Sequence, residues 1–111
     1  MAMNRGDFVL VAMSGDFGKP RPALIIQSDK FLSDAFASVT VLLMSSEIVD
    51  APLIRLTVEP DENNGLFKSS QIMIDKPMTV LRSKIGGKIG FANKATLKEV
   101  DAALAVFLGI V

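Results

Sequence analysis

The apolar side chains of this chain change period once, near its end, and that change limits what it can fold into. Leu97, Val100, Leu104, Phe107 and Leu108 recur at helical spacing, with Lys94, Lys98 and Asp101 at polar positions between them. This is the pattern of an amphipathic helix laid on an apolar surface. Asn93 is placed to cap its start and Gly109 to stop it. Everything before Asn93 has strand-like composition instead. Phe8-Val-Leu-Val-Ala-Met13 is a short β-branched run that stops at Ser14-Gly15-Asp16. A second strand starts at Pro22 and continues as Ala23-Leu-Ile-Ile-Gln27, with proline at the one strand position where no ladder hydrogen bond is needed.

Ser28 offers an N-cap to a short helical turn over Asp29-Lys-Phe-Leu32, after which Ser38-Val-Thr-Val-Leu-Leu-Met44 returns to a strand that ends at Ser45 and Ser46. Leu53-Ile-Arg-Leu-Thr-Val58 is strand-like, and Glu59 to Gly65 carries the Pro, Asp, Asn and Gly of a turn. Ser70-Gln-Ile-Met-Ile-Asp75 re-enters a sheet. Val80-Leu81 and Lys88-Ile-Gly-Phe91 are weaker, separate strand candidates around the glycine-rich Ile85-Gly86-Gly87. Several short strands and one terminal helix predict an α+β, mainly β fold built as a small barrel, and the βαβ alternation of a doubly wound sheet is missing. No linker or repeat divides the chain, so residues 1–111 are expected to form one domain.

Composition narrows the chemistry. Half of the residues are apolar, and acidic and basic residues balance at 12 each, so any nucleic-acid surface must be a local patch rather than a global field. There is no cysteine, which removes disulfides, thiolate metal sites and cysteine nucleophiles. There is no histidine either, so a catalyst built here works without the side chain best suited to proton transfer near neutrality. No apolar run reaches the roughly 18 residues of a spanning helix, and no signal-peptide pattern opens the chain. The expectation is a soluble cytoplasmic protein, with no membrane contact.

Arg5-Gly-Asp-Phe-Val9, Arg21-Pro-Ala-Leu-Ile-Ile26 after a glycine-bearing loop, Met44-Ser45-Ser46, Gln71-Ile-Met-Ile-Asp75, Thr79-Val80 and the helix holding Ala103-Leu-Ala-Val-Phe-Leu-Gly109 occur in this order. As an ordered set they resemble MazF/PemK-type endoribonucleases over nearly the whole chain. The resemblance implies an SH3-like barrel with a C-terminal helix, shared with the CcdB gyrase poisons, and a homodimer with a groove for single-stranded RNA. It implies a MazE/PemI-like antitoxin as partner, with DNA reached only indirectly through the antitoxin complex. It also implies a cofactor-free and metal-free reaction, in which a ribose 2′-hydroxyl attacks the adjacent phosphorus to leave a cyclic phosphate and a 5′-hydroxyl.

The residues can be matched to that reaction. Arg21 carries a permanently charged planar fork of donors suited to the phosphorane, and the resemblance points to it too; without the resemblance, a surface arginine anchoring its loop is the favoured reading. Ser45 stands where the family usually has threonine and keeps the hydroxyl, although a serine at a strand end is otherwise a turn or cap residue. Asp75 matches an acidic position of the PemK-like branch and is either the base or the start of the Asp75-Lys76-Pro77 turn. Met73 stands where that branch has a basic residue, so either Lys76 substitutes as the acid or activity is altered. RNA contacts are expected from Phe17, Lys19, Ser46, Gln71 and Lys76, with Phe17 either a stacking ring or a plug under its loop. The loop from Ser14 to Pro20 is shorter than in many members and lacks their Glu-Gln pair, so base preference does not transfer.

Two alternatives accompany this reading. Phe107-Leu-Gly-Ile110 is similar to the C-terminal signature of CcdB, with Leu108 in place of its tryptophan, which suggests a gyrase poison. The other is an inactive homologue that only binds antitoxin. Three further motifs, Gly87-Lys-Ile-Gly90, Asp61-Glu62 and Arg5-Gly6-Asp7, read respectively as a sheet turn, a solvated turn and the lead into a strand.

Overall fold

A computed structural model describes residues 2–13 and 19–111. Within them are strands β1 (Asp7–Val11), β2 (Arg21–Ile25), β3 (Ser38–Ser45), β4 (Arg55–Val58), β5 (Ser70–Leu81) and β6 (Ile85–Phe91), then helix α1 (Lys94–Phe107). The strands form one antiparallel sheet in the order β4-β5-β3-β2-β1-β6. Single 3-10 turns at Asp29–Phe31 and Arg82–Lys84 join β2 to β3 and β5 to β6.

Strand alternation gives this sheet two apolar faces, and each has its own core. Phe8, Leu24, Leu42, Met44, Ile72 and Ile74 point to one side, where Val100 and Leu104 of α1 cover them. Val9, Val11, Ala23, Ile25, Val41 and Leu43 point to the other, together with Leu32 and Ile85. Burying a side chain of the size of Leu104 stabilises the fold by about 1.5–3 kcal/mol, so the period change at Asn93 marks where the first core acquires its lid. Asn93 caps α1 by accepting from the Thr96 N–H at 2.8 Å. Gly109, at φ 74, ends it: its N–H donates to Val106 and that of Ile110 to Ala105, the paired bonds of a Schellman stop.

Curvature comes from irregular register. Between Leu42 and Met44, two steps along β3 face the five steps from Pro77 to Ile72 on β5. The extra residues bend β5 sharply, as bulges do, so one 12-residue strand serves two pairings. Ser70–Met73 pairs with β4 and Pro77–Leu81 with the first half of β3. The expected break between Asp75 and Val80 is therefore a bend within a continuous strand. Two bulges likewise curl β6 against β1, and Gly86 and Gly87 belong to that strand. Leu53, expected to open β4, lies in a turn and is largely exposed; pairing begins at Arg55.

The two edges of the sheet are joined by the β4–β5 loop. Phe91 donates its N–H to the Asn63 carbonyl at 2.9 Å, and the backbones meet so closely that neither side tolerates a side chain. A Cβ on Gly90 would lie 2.3 Å from the Asn63 oxygen, and one on Gly65, at φ +71, would lie 2.0 Å from the Ile89 oxygen. Buried Asn64 holds the loop in shape, donating to the Glu59 carbonyl and accepting from the N–H groups of Asp61 and Leu66. The sheet thus becomes a small barrel with one terminal helix, as the sequence predicts.

The N-terminal segment is tied into this frame. Arg5 donates to the Ile26 carbonyl at 2.9 Å and pairs with Asp101 of α1 at 2.7 Å. Asp7 is buried and meets Lys88 at 3.2 Å. Arg5-Gly6-Asp7 is accordingly a structural clamp, and Gly87-Lys-Ile-Gly90 is sheet. Among the described residues no helix is long and apolar enough to cross a membrane.

Candidate active site

A cleft of about 750 Å³ opens where β2 begins, β3 ends and the β4–β5 loop crosses β6. Its apolar lining comes from Leu10, Pro22, Met44, Leu66 and Ile89. Among the described residues, Lys19, Arg21 and Lys68 line it together with the carboxylate of Glu47. Cations gathered on one surface favour an anionic ligand there.

Arg21 and Ser45 reach it from neighbouring strands. The β2–β3 pairing runs from Ile25–Val41 to Ala23–Leu43, and Arg21 and Ser45 lie two residues beyond it, at the first position of β2 and the last of β3. Pro20 and Pro22 flank Arg21, and their fixed φ angles limit the backbone freedom on both sides of it. The Ser45 oxygen accepts from the Glu47 N–H at 3.1 Å. This turns the chain outward and leaves the hydroxyl proton available to a ligand.

The structure brings Lys19, Arg21, Ser45 and Ser46 into this cleft and leaves Gln71, Asp75 and Lys76 out of its lining. Gln71 pairs with Ser45 on one side and Thr57 on the other, but its amide is buried and engaged. It donates to the Val49 carbonyl at 3.0 Å and the Thr57 hydroxyl at 3.1 Å, and accepts from the Val49 N–H at 3.1 Å. Its effect is to hold the turn that follows Ser45 and Ser46. Asp75 lies four residues further along β5 and is bound by Arg55. Lys76 is exposed beyond it. Phe17 lies outside the described residues.

Sequence reasoning missed Glu47, Phe67 and Lys68, which also line the cleft. The available signal was a phenylalanine beside a lysine directly after a strongly polar turn, where a buried strand residue was not due. Among the described residues no group of three or more Asp, Glu, His or Cys is arranged to hold a metal ion.

The comparisons agree with this geometry. Residues 4–108 match the model of the PemK-like, MazF-like toxins of type II toxin–antitoxin systems. A protein of Mycolicibacterium smegmatis named as a probable endoribonuclease MazF is 47% identical over 109 residues, covering 97% of this chain and 98% of its own. Among solved structures, a MazE–MazF complex from Deinococcus radiodurans superposes with a TM-score of 0.79 at 21% identity, covering 98% of both chains. The Mycobacterium tuberculosis toxin MazF-mt6 does so with a TM-score of 0.78 at 19% identity, covering 93% of this chain and 96% of its own. The curled sheet, single terminal helix and cleft thus define a toxin of the PemK/MazF class. The chain belongs to the PemK-like, MazF-like toxin family.

Proposed function

We propose that this protein is the RNA-cleaving toxin of a type II toxin–antitoxin pair, acting on single-stranded mRNA in the cytoplasm at the cleft lined by Arg21 and Ser45. The observation that carries the reading is that Arg21 and Ser45 line one apolar-walled cleft together with Lys19 and Lys68. Apolar walls accept bases, cations accept phosphates, and the two together are the chemistry of single-strand recognition.

The reaction is transesterification without a metal. Arg21 and the Ser45 hydroxyl donate to nonbridging oxygens of the phosphate, and both contacts strengthen as the phosphorane gains charge. The 2′-hydroxyl gives its proton to the Glu47 carboxylate, the carboxylate that lines the cleft. The 2′ oxygen bonds to phosphorus, the bond from phosphorus to the 5′ oxygen breaks, and that oxygen takes a proton from solvent. The products are a 2′,3′-cyclic phosphate and a 5′-hydroxyl. Asp75, matched to a family acid by sequence, is given no proton to carry here because Arg55 holds it away from the cleft.

The toxin works as a homodimer. An antitoxin with an acidic segment inhibits it by lying over the same cations. The gyrase reading is weakened because Leu108 stands in place of the tryptophan of the CcdB signature, and the Schellman stop gives Gly109 a structural role.

The test is cleavage of single-stranded RNA by the purified protein in EDTA. Cyclic-phosphate ends, lost in Arg21→Ala, are the expected result. Cleavage that needs added metal and survives Arg21→Ala overturns the mechanism, and antitoxin binding with no cleavage at all marks an inactive homologue.

A further inference from the structure

We propose that Phe67 is a stacking platform for a nucleobase flanking the phosphate held by Arg21 and Ser45, so that the β4–β5 loop selects among RNA sequences. This rests on the RNA-cleaving reading of the cleft. The Phe67 ring lines that cleft and is 101% exposed, although two apolar cores lie within the same fold. The chain on either side of it is nevertheless anchored. Three residues before it, buried Asn64 fixes the loop through its amide, and Gly65 sits against the backbone of β6. Two residues after it, the Ser69 hydroxyl is bonded to Glu59. A loop already tied at both ends loses less backbone freedom when a base lands on the ring it carries.

Its neighbours identify the occupant. Lys68 follows it directly, and Lys19 and Arg21 line the same cleft. An aromatic face beside several cations fits a ligand in which a flat base alternates with a phosphate, since stacking takes the base and the cations take the charge. Stacking of this kind tolerates every base but favours the larger purine faces, which gives the loop a means of preference without hydrogen-bond readout.

The chain contains no tryptophan and no tyrosine, so Phe67→Trp introduces a sole indole at the position in question. A non-cleavable, fluorescently labelled 2′-O-methyl oligonucleotide is titrated onto this variant, with binding followed by anisotropy of the label and stacking by indole fluorescence. The expected result is quenching that saturates together with the anisotropy. An unperturbed indole while the oligonucleotide binds overturns the platform and leaves the RNA reading standing. Absence of any binding overturns both. An indole signal that changes with protein concentration before RNA is added assigns the ring to a second copy of the chain and likewise overturns the proposal.

Kinetics provide an independent check. Phe67→Ala lowers kcat/KM about 5- to 150-fold, mainly through KM, while Phe67→Tyr restores it and the melting temperature stays constant because the ring is exposed. Unchanged kcat/KM in Phe67→Ala sinks the idea.

Discussion

The Asp75 carboxylate is paired with the Arg55 guanidinium across the β4–β5 ladder. Arg55 pairs in register with Met73, so Asp75 is its diagonal neighbour on the same face. Only 15% of the Arg55 side chain and 21% of the Asp75 side chain reach solvent. Arg55 also donates to the Ile54 carbonyl at 3.2 Å. Removing the carboxylate strands a mostly covered cation, which costs more than a surface pair and less than a fully buried one. Asp75→Asn should lower stability by about 1–3 kcal/mol in a denaturant titration, while cleavage per folded molecule persists. A variant of unchanged stability that no longer cleaves would return Asp75 to the chemistry.

Glu47 gives the opposite expectation. Its side chain lines the cleft and is exposed, so Glu47→Gln should leave the fold intact and remove the proton acceptor. A positioned base contributes about 10²–10⁴-fold, and kcat should fall by that order. KM should stay the same or drop, because a negative charge near the phosphate path is gone. Single-turnover cleavage at saturating enzyme separates the two effects. Wild-type kcat in Glu47→Gln removes the residue from the mechanism.

The barrel closure rests on two facing backbones, and that can be tested with glycines of the same strand. A methyl on Gly90 would meet the Asn63 oxygen and the Asn64 carbonyl carbon at 2.3 and 2.4 Å. These are backbone atoms that cannot swing aside. Gly90→Ala should cost about 3 kcal/mol and also weaken RNA binding, since the displaced loop carries Phe67 and Lys68. A Cβ on Gly87, three residues away, meets nothing within 4 Å, so Gly87→Ala should fall within about 0.5 kcal/mol of wild type. Equal stabilities in thermal unfolding of the two variants would show that the closure does not depend on that contact.

The helix was the most legible part of the fold because its signal is local. Val100 and Leu104 are buried at the expected period, Asn93 caps the start and Gly109 ends it. The strand expected from Pro22 to Gln27 was also legible, though β2 starts one residue earlier and ends at Ile25. What could not be read was set by partners distant in sequence. Nothing near Pro77 reveals that β5 runs through it, since the bend that admits it is a register difference against Leu42 and Met44. Asp75 and Gln71 carry the residue types of a site, but Arg55, Thr57 and Val49 engage them across strands that the sequence leaves unpaired. Phe67 was hidden for a similar reason: the approach of Gly65 to Ile89 and of Gly90 to Asn63 and Asn64, distant in sequence, carries its loop to the cleft.

Salt dependence supplies the last test, because it counts cations without assuming a mechanism. Lys19, Arg21 and Lys68 line the cleft, and each phosphate neutralised on a single strand contributes a slope of about −0.7 in log K against log salt. Three contacts predict a slope near −2 for a single-stranded oligonucleotide. Lys19→Met or Lys68→Met should each make it shallower by about 0.7, and should weaken binding by a similar factor whatever the sequence, since phosphate contacts carry no base information. Phe67→Ala should do the reverse, leaving the slope in place and altering the ranking of sequences. A wild-type slope near zero would mean that bound RNA does not follow these cations, and the cleft would then lose its claim to the phosphate path.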